Sequence, residues 1–147
     1  MRVPFLIGRL IFGGYFISSG INHFTQRKQM AEYAAAKHVP QSNVAVQASG
    51  AVLLLGGASI LLGIKPKLGT LAIVGFLAGV SPVIHDFWKE EEPTARMNEM
   101  INFTKNVALA GGAIALMGVE EPWPASVPVL APKKKNILRR LQRDVAA

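Results

Sequence analysis

The residues best equipped for chemistry fall at three short places. Asn22 and His23 close one apolar run, His85 and Asp86 close another, and Lys105 and Asn106 lead into a third. Imidazole titrates near neutral pH, and ionisable groups at membrane depth tend to mark function. Two imidazoles, a carboxylate, an ammonium and two amides could hydrogen-bond a quinone carbonyl, hold a small anion, or let a histidine carry protons. Phe24, Phe87, Trp88 and Phe103 lie close by in sequence and could wall such a pocket. The same residue types at helix ends also make an interfacial belt, and Asp86 could simply pair with Lys105. Two histidines fall short of the three or four ligands zinc usually takes, so no metal site is expected. With no cysteine, thiol catalysis and disulfides are excluded for the chain alone. The run Glu90–Glu92 reads as a solvated stretch before a helix start, where negative charge suits the helix dipole. No P-loop, dinucleotide fingerprint or nucleophile elbow is present.

Those polar residues must be positioned by the apolar runs they punctuate. Only 17% of the 147 residues are charged and half are hydrophobic. Residues 10–22, 44–64 and 68–84 carry no charge at all. About 20 apolar residues cross the hydrocarbon core as a helix. The sequence therefore predicts an all-α transmembrane four-helix bundle over residues 1–121. Its spans lie at about 4–22, 42–64, 66–84 and 94–119. Ser42 is a candidate N-cap for the second span. The strictly apolar part of the fourth, Val107–Val119, is about 20 Å long, so that helix must carry Lys105 and Asn106 into the membrane's outer third or bury them against protein. Between spans one and two, "QMAEYAAAKH" predicts an interfacial helix with Met30, Tyr33 and Ala34 on one face. Prolines at 122, 124, 128 and 132 predict an extended linker over 122–132. Beyond it, 133–147 reads as a basic amphipathic tail.

Three spans repeat one glycine pattern. Gly13 and Gly20, Gly56 and Gly63, and Gly111 and Gly118 are each seven apart, and Gly75 and Gly79 form a shorter pair. Seven residues make nearly two helical turns, so each pair shares a face. Small residues let helices approach closely in lipid, where no hydrophobic force drives them together. All eight are expected to be structural. Arg9 lies about 21 Å before His23 along the first helix. It is expected to be structural too, snorkelling to headgroups or pairing with Glu120 or Glu121.

Net charge is +7, concentrated in the tail. Anionic lipids or a partner subunit are the expected recipients, and nucleic acid is not. Nine Lys and Arg residues flank the side that holds both termini, against five in the two long loops. That bias puts both termini in the cytoplasm and the histidines at the outer end.

The order of motifs resembles a known family. An arginine in the first span, "GINHF", "MAEYAAAKHVP", "GAVLLLGGASILLG", "HDFW" and "FTKNVALAGGAIAL" are similar to the DoxX family of small four-helix membrane proteins, over about residues 5–118. The resemblance implies an integral protein of the bacterial inner membrane, linked to quinone-coupled oxidation or membrane oxidoreductase complexes. It implies no particular activity. The expected function is a membrane subunit of a redox process, with a quinone or small-molecule pocket at the outer end of the bundle. The chain has no cofactor motif, so electron transfer would need a bound quinone or an oxidoreductase partner. A non-catalytic scaffold subunit, or a homo-oligomer of such a subunit, is the alternative. A small transporter ranks third.

Overall fold

Backbone groups in lipid have no partners but each other, so long uncharged stretches become helices. The computed structural model describes residues 2–128, and among them only helices and turns occur. The helices are α1 (Arg2–Thr25), α2 (Arg27–Ala36), α3 (Ser42–Leu62), α4 (Pro66–Ile84) and α5 (Pro93–Met117), with a single 3-10 turn at Phe87–Lys89. All but α2 are long and apolar enough to cross a membrane. The basic segment 133–147 and the end of the proline-rich stretch lie outside the described residues.

Local chemistry sets the boundaries. Gln41 adopts a left-handed conformation as N-cap of α3, which makes Ser42 the first helical residue instead of the expected cap. Lys65 is likewise left-handed, and Pro66, which has no N–H to lose, begins α4. Glu92 caps α5, its two carboxylate oxygens accepting from the backbone N–H of Thr94 at 2.9 Å and of Ala95 at 2.5 Å.

The helices pack in the order α1, α3, α4, α5. Glycine controls the first two contacts. A Cβ at Gly57 would stand 2.9 Å from both the Gly13 carbonyl oxygen and the Ile17 nitrogen. One at Gly20 would meet the Leu54 backbone at 2.8 Å, and one at Gly56 the Gly69 oxygen at 3.1 Å. Gly13, Gly20 and Gly56 therefore lie in helix contacts, with Gly50, Gly57 and Gly69 as partners that the seven-residue pattern passed over. The other five depart from expectation. Gly63 follows the last residue of α3 with φ +69°, a turn conformation that favours glycine, and shares no helix face with Gly56. Gly75, Gly79 and Gly111 have open space where a side chain would start. Gly118 ends α5 and touches only its own helix.

Phe16, Leu53, Ile60, Ile73, Leu77 and Trp123 form the buried core. Trp123 is the surprise, because it belongs to the stretch expected to be an extended linker. Residues 119–128 fold back over the bundle end as a strap. The Trp123 ring meets Phe5 edge-on at 5.4 Å. Val127 N–H donates to the Leu62 oxygen at 2.9 Å, and Lys67 N–H to Glu121 Oε1 at 3.4 Å. Arg9 is buried beneath the strap and donates to the Pro124 and Ala125 carbonyls at 2.8 and 3.0 Å. It pairs with neither Glu120 nor Glu121, because the prolines turn the chain so that carbonyls face the guanidinium. Its Nε is buried with no partner among the described residues.

Candidate functional site

The end opposite the strap, the histidine end, holds two adjoining spaces under α2. The smaller is a polar cleft of about 340 Å³ between α1 and α5, floored by α4. It exists because α1 and α5 scarcely touch: Phe12 reaches Gly112, and above that level the two helices part. Ser19, His23, Tyr33, His85, Asn102, Lys105 and Asn106 give the cleft its polar lining. The larger space, about 670 Å³, lies between α2, α3 and α4 and has no charged residue in its wall.

Both imidazoles are held by one nitrogen. His23 is buried at the end of α1, and its Nδ1 lies 2.7 Å from the Ser19 carbonyl oxygen. His85 follows α4, and its Nδ1 lies 2.7 Å from Glu99 Oε2 on α5. A carbonyl and a carboxylate only accept, so each Nδ1 carries the proton and donates. Nε2 of each ring has no partner among the described residues. Glu99 is engaged twice, since Tyr33 of α2 donates its hydroxyl to Oε1 at 2.5 Å. Burial, then this carboxylate, push the Tyr33 phenol up to about 12. It stays a donor throughout the physiological range.

A second polar knot fastens α2 from outside the cleft. Lys37 Nζ donates at 2.6 Å to both Asp86 Oδ1 and Glu90 Oε1, and Lys89 meets Asp86 Oδ2 at 3.1 Å. Burial works against the Lys37 ammonium, but its bonds to Asp86 and Glu90 prevail and hold its pKa above the ordinary lysine value. Replacing Lys37 with methionine should cost about 2 kcal/mol, between an exposed pair and a fully buried one. Hydrogen exchange should localise the effect as lost protection over residues 27–36. Unaltered protection there would show that α2 does not need this tie.

Of the candidates named from sequence, His23, His85, Lys105 and Asn106 line the cleft. Asp86 is buried outside it and pairs with Lys37 and Lys89, not with Lys105. Lys105 donates instead to Asn102 Oδ1 at 3.0 Å. Asn22 is exposed and borders neither space. The expected aromatic wall also differs. Phe87, Trp88 and Phe103 cluster among themselves with centroids 5.1 to 5.8 Å apart, and the cleft is walled by Tyr15, Phe16 and Phe76. Glu90 is tied to Lys37, so the acidic run is only partly solvated.

Tyr33, Lys37 and Glu99 join the polar groups of this end although the sequence does not mark them as site residues; Tyr33 is expected there only as part of the α2 face. A signal for Glu99 was present: Glu99, Asn102 and Asn106 follow at i, i+3 and i+7 and so share one face of α5.

The DoxX family model matches residues 5–86, more than half the chain. The protein belongs to the DoxX family. The match spans α1 to α4 and stops at Asp86, so the α5 side of the cleft in this DoxX protein lies outside it. No curated protein and no solved structure matches the chain. It is a DoxX family membrane protein with four helices suited to crossing the bilayer.

Proposed function

We propose that the polar cleft receives the head of a quinone, within a membrane redox process of the kind linked to the DoxX family. One observation carries this reading: two imidazoles border one cleft, each with Nδ1 tied and Nε2 free. A neutral imidazole held this way accepts a hydrogen bond at Nε2, and a protonated one donates. The pair can thus meet either a ring hydroxyl or a ring carbonyl. Lys105, Asn102 and Asn106 add donors on the α5 side, and Phe76 and Phe16 offer apolar faces for a flat ring. Quinone would supply the two-electron chemistry, while the chain binds it, orients it and exchanges protons at the two Nε2 atoms. With both termini in the cytoplasm, this site sits in the outer leaflet of a bacterial inner membrane. A non-catalytic scaffold role is the second reading. It is favoured by the sparse cover on α5, where Met97, Ile101, Val107 and Ile114 stand exposed.

His23→Ala and His85→Ala should each weaken quinone binding about tenfold, the worth of one good hydrogen bond. Asn22→Ala should leave it unchanged. Quinone titration of the protein in lipid nanodiscs makes the comparison. Wild-type affinity in both histidine variants would remove the basis for the proposal.

A further inference from the structure

The larger space poses a separate question, because α4 spends two glycines on it. Gly75 and Gly79 are one turn apart on the face that borders this space, and a Cβ built on either meets nothing within 4 Å. Elsewhere glycine brings helices together, as at Gly57 against Gly13. Here it keeps them apart from nothing, and the volume that side chains would fill stays open. The surrounding wall is aliphatic and aromatic: Val39, Ala45, Val46, Val83 and Ile84, with Phe76. Polar atoms occur only at the α2 edge, at Ser49 and at His23 on the side next to the cleft, and no Lys, Arg, Asp or Glu takes part. An anionic lipid or fatty acid would bring a charge that no Lys or Arg of this wall pairs, at a high cost at this depth. The space suits an uncharged hydrocarbon chain, and its volume is that of a ligand pocket rather than a packing defect.

The two spaces meet along His23, Met30, Tyr33, Phe76, Val80 and Ile84, which border both. His23 and Phe76 stand edge-on with centroids 6.1 Å apart on this shared wall. We infer that the larger space is a chain chamber that takes the prenyl tail of the same uncharged amphiphile whose head enters the cleft, with Gly75 and Gly79 determining how much chain fits. This rests on the quinone reading for the identity of the head. The chamber itself is argued from its own lining. Met30, Tyr33 and Ala34 of α2 roof it, so the ties from Lys37 and Tyr33 to Asp86, Glu90 and Glu99 hold the roof in place.

The test fills the chamber without touching the cleft. Gly79→Leu and, separately, Gly75→Leu place a side chain on the chamber wall whose first carbon meets no protein atom, and both improve helix propensity. Each full-length variant in lipid nanodiscs is photolabelled with a four-isoprene alcohol bearing a terminal diazirine, and the adducts are mapped by mass spectrometry. A tail-less benzoquinone is titrated in parallel. Wild type should carry adducts at Val39, Val46 or Val83. Both leucine variants should lose at least tenfold of that labelling and keep wild-type affinity for the tail-less quinone. Equal labelling of wild type and both variants, or no labelling of these residues in wild type, overturns the chamber. Tail-less quinone that ignores His23→Ala and His85→Ala overturns the head reading, while the alcohol still reports on the chamber.

Discussion

Gly57→Val should separate α1 from α3 and cost about 3 kcal/mol, the upper range for overpacking. The reason is that nothing nearby can yield. The first added carbon already lies 2.9 Å from the Gly13 oxygen and the Ile17 nitrogen, and both are backbone atoms of a helix. A flexible side chain could swing aside, but here a whole helix must move. That movement would also disturb Gly20 and Gly50, which lie further along the same contact, and His23, whose Cβ packs on Gly50. Reversible unfolding in mixed detergent micelles measures the loss. Gly111→Ala is the matched control: its Cβ meets nothing, and the gain in helix propensity should stabilise it by up to about 1 kcal/mol. Similar behaviour of the two variants would refute the packing account.

The second large effect is expected at the strap. Trp123→Ala removes a side chain that is only 2% exposed and wedged against Phe5. Truncating a buried tryptophan costs about 3 kcal/mol or more. Arg9→Ala should act on the same unit, because it frees two carbonyls that the strap presents to the guanidinium. The double variant should therefore cost clearly less than the sum of the two singles, as neighbours in one contact do. Proteolysis at the strap, followed by intact-mass measurement, gives an independent readout: both singles should be cut faster there than wild type. Strict additivity would show that Arg9 and Trp123 do not hold the strap together.

The four long helices were legible because span length and charge-free composition are properties of a line, and lipid leaves the backbone one option. The place of His23 and His85 at the same end followed from antiparallel order alone. What could not be read was the identity of neighbours. Gly56 and Gly75 look alike in sequence, yet one touches α4 and the other borders a void, because only the three-dimensional path of the next helix decides between contact and space. Glu99 gathers Tyr33 from α2 and His85 from the end of α4, residues 66 and 14 positions away in the chain. No local pattern encodes such a meeting. The strap misled for a related reason. Proline content correctly forbade a helix over 122–128, but an absence of helix is silent on whether the chain leaves the bundle or lies down on it. Trp123, a large apolar residue among prolines, was the clue to the latter.

The core beneath the cleft has a consequence for charge. Phe16, Leu53, Ile60, Ile73 and Leu77 fill the space between the hollow histidine end and the end stoppered by Trp123. A ligand that enters above this floor leaves through the leaflet it came from. On the proposed reading, a proton exchanged at His23 or His85 returns to the bulk phase from which the site opens, and so makes no net crossing of the membrane potential. On the proposed quinone reading, proton exchange at this site therefore moves no net charge from one side of the membrane to the other. On the same reading, energy would be conserved only by the route electrons take through another protein.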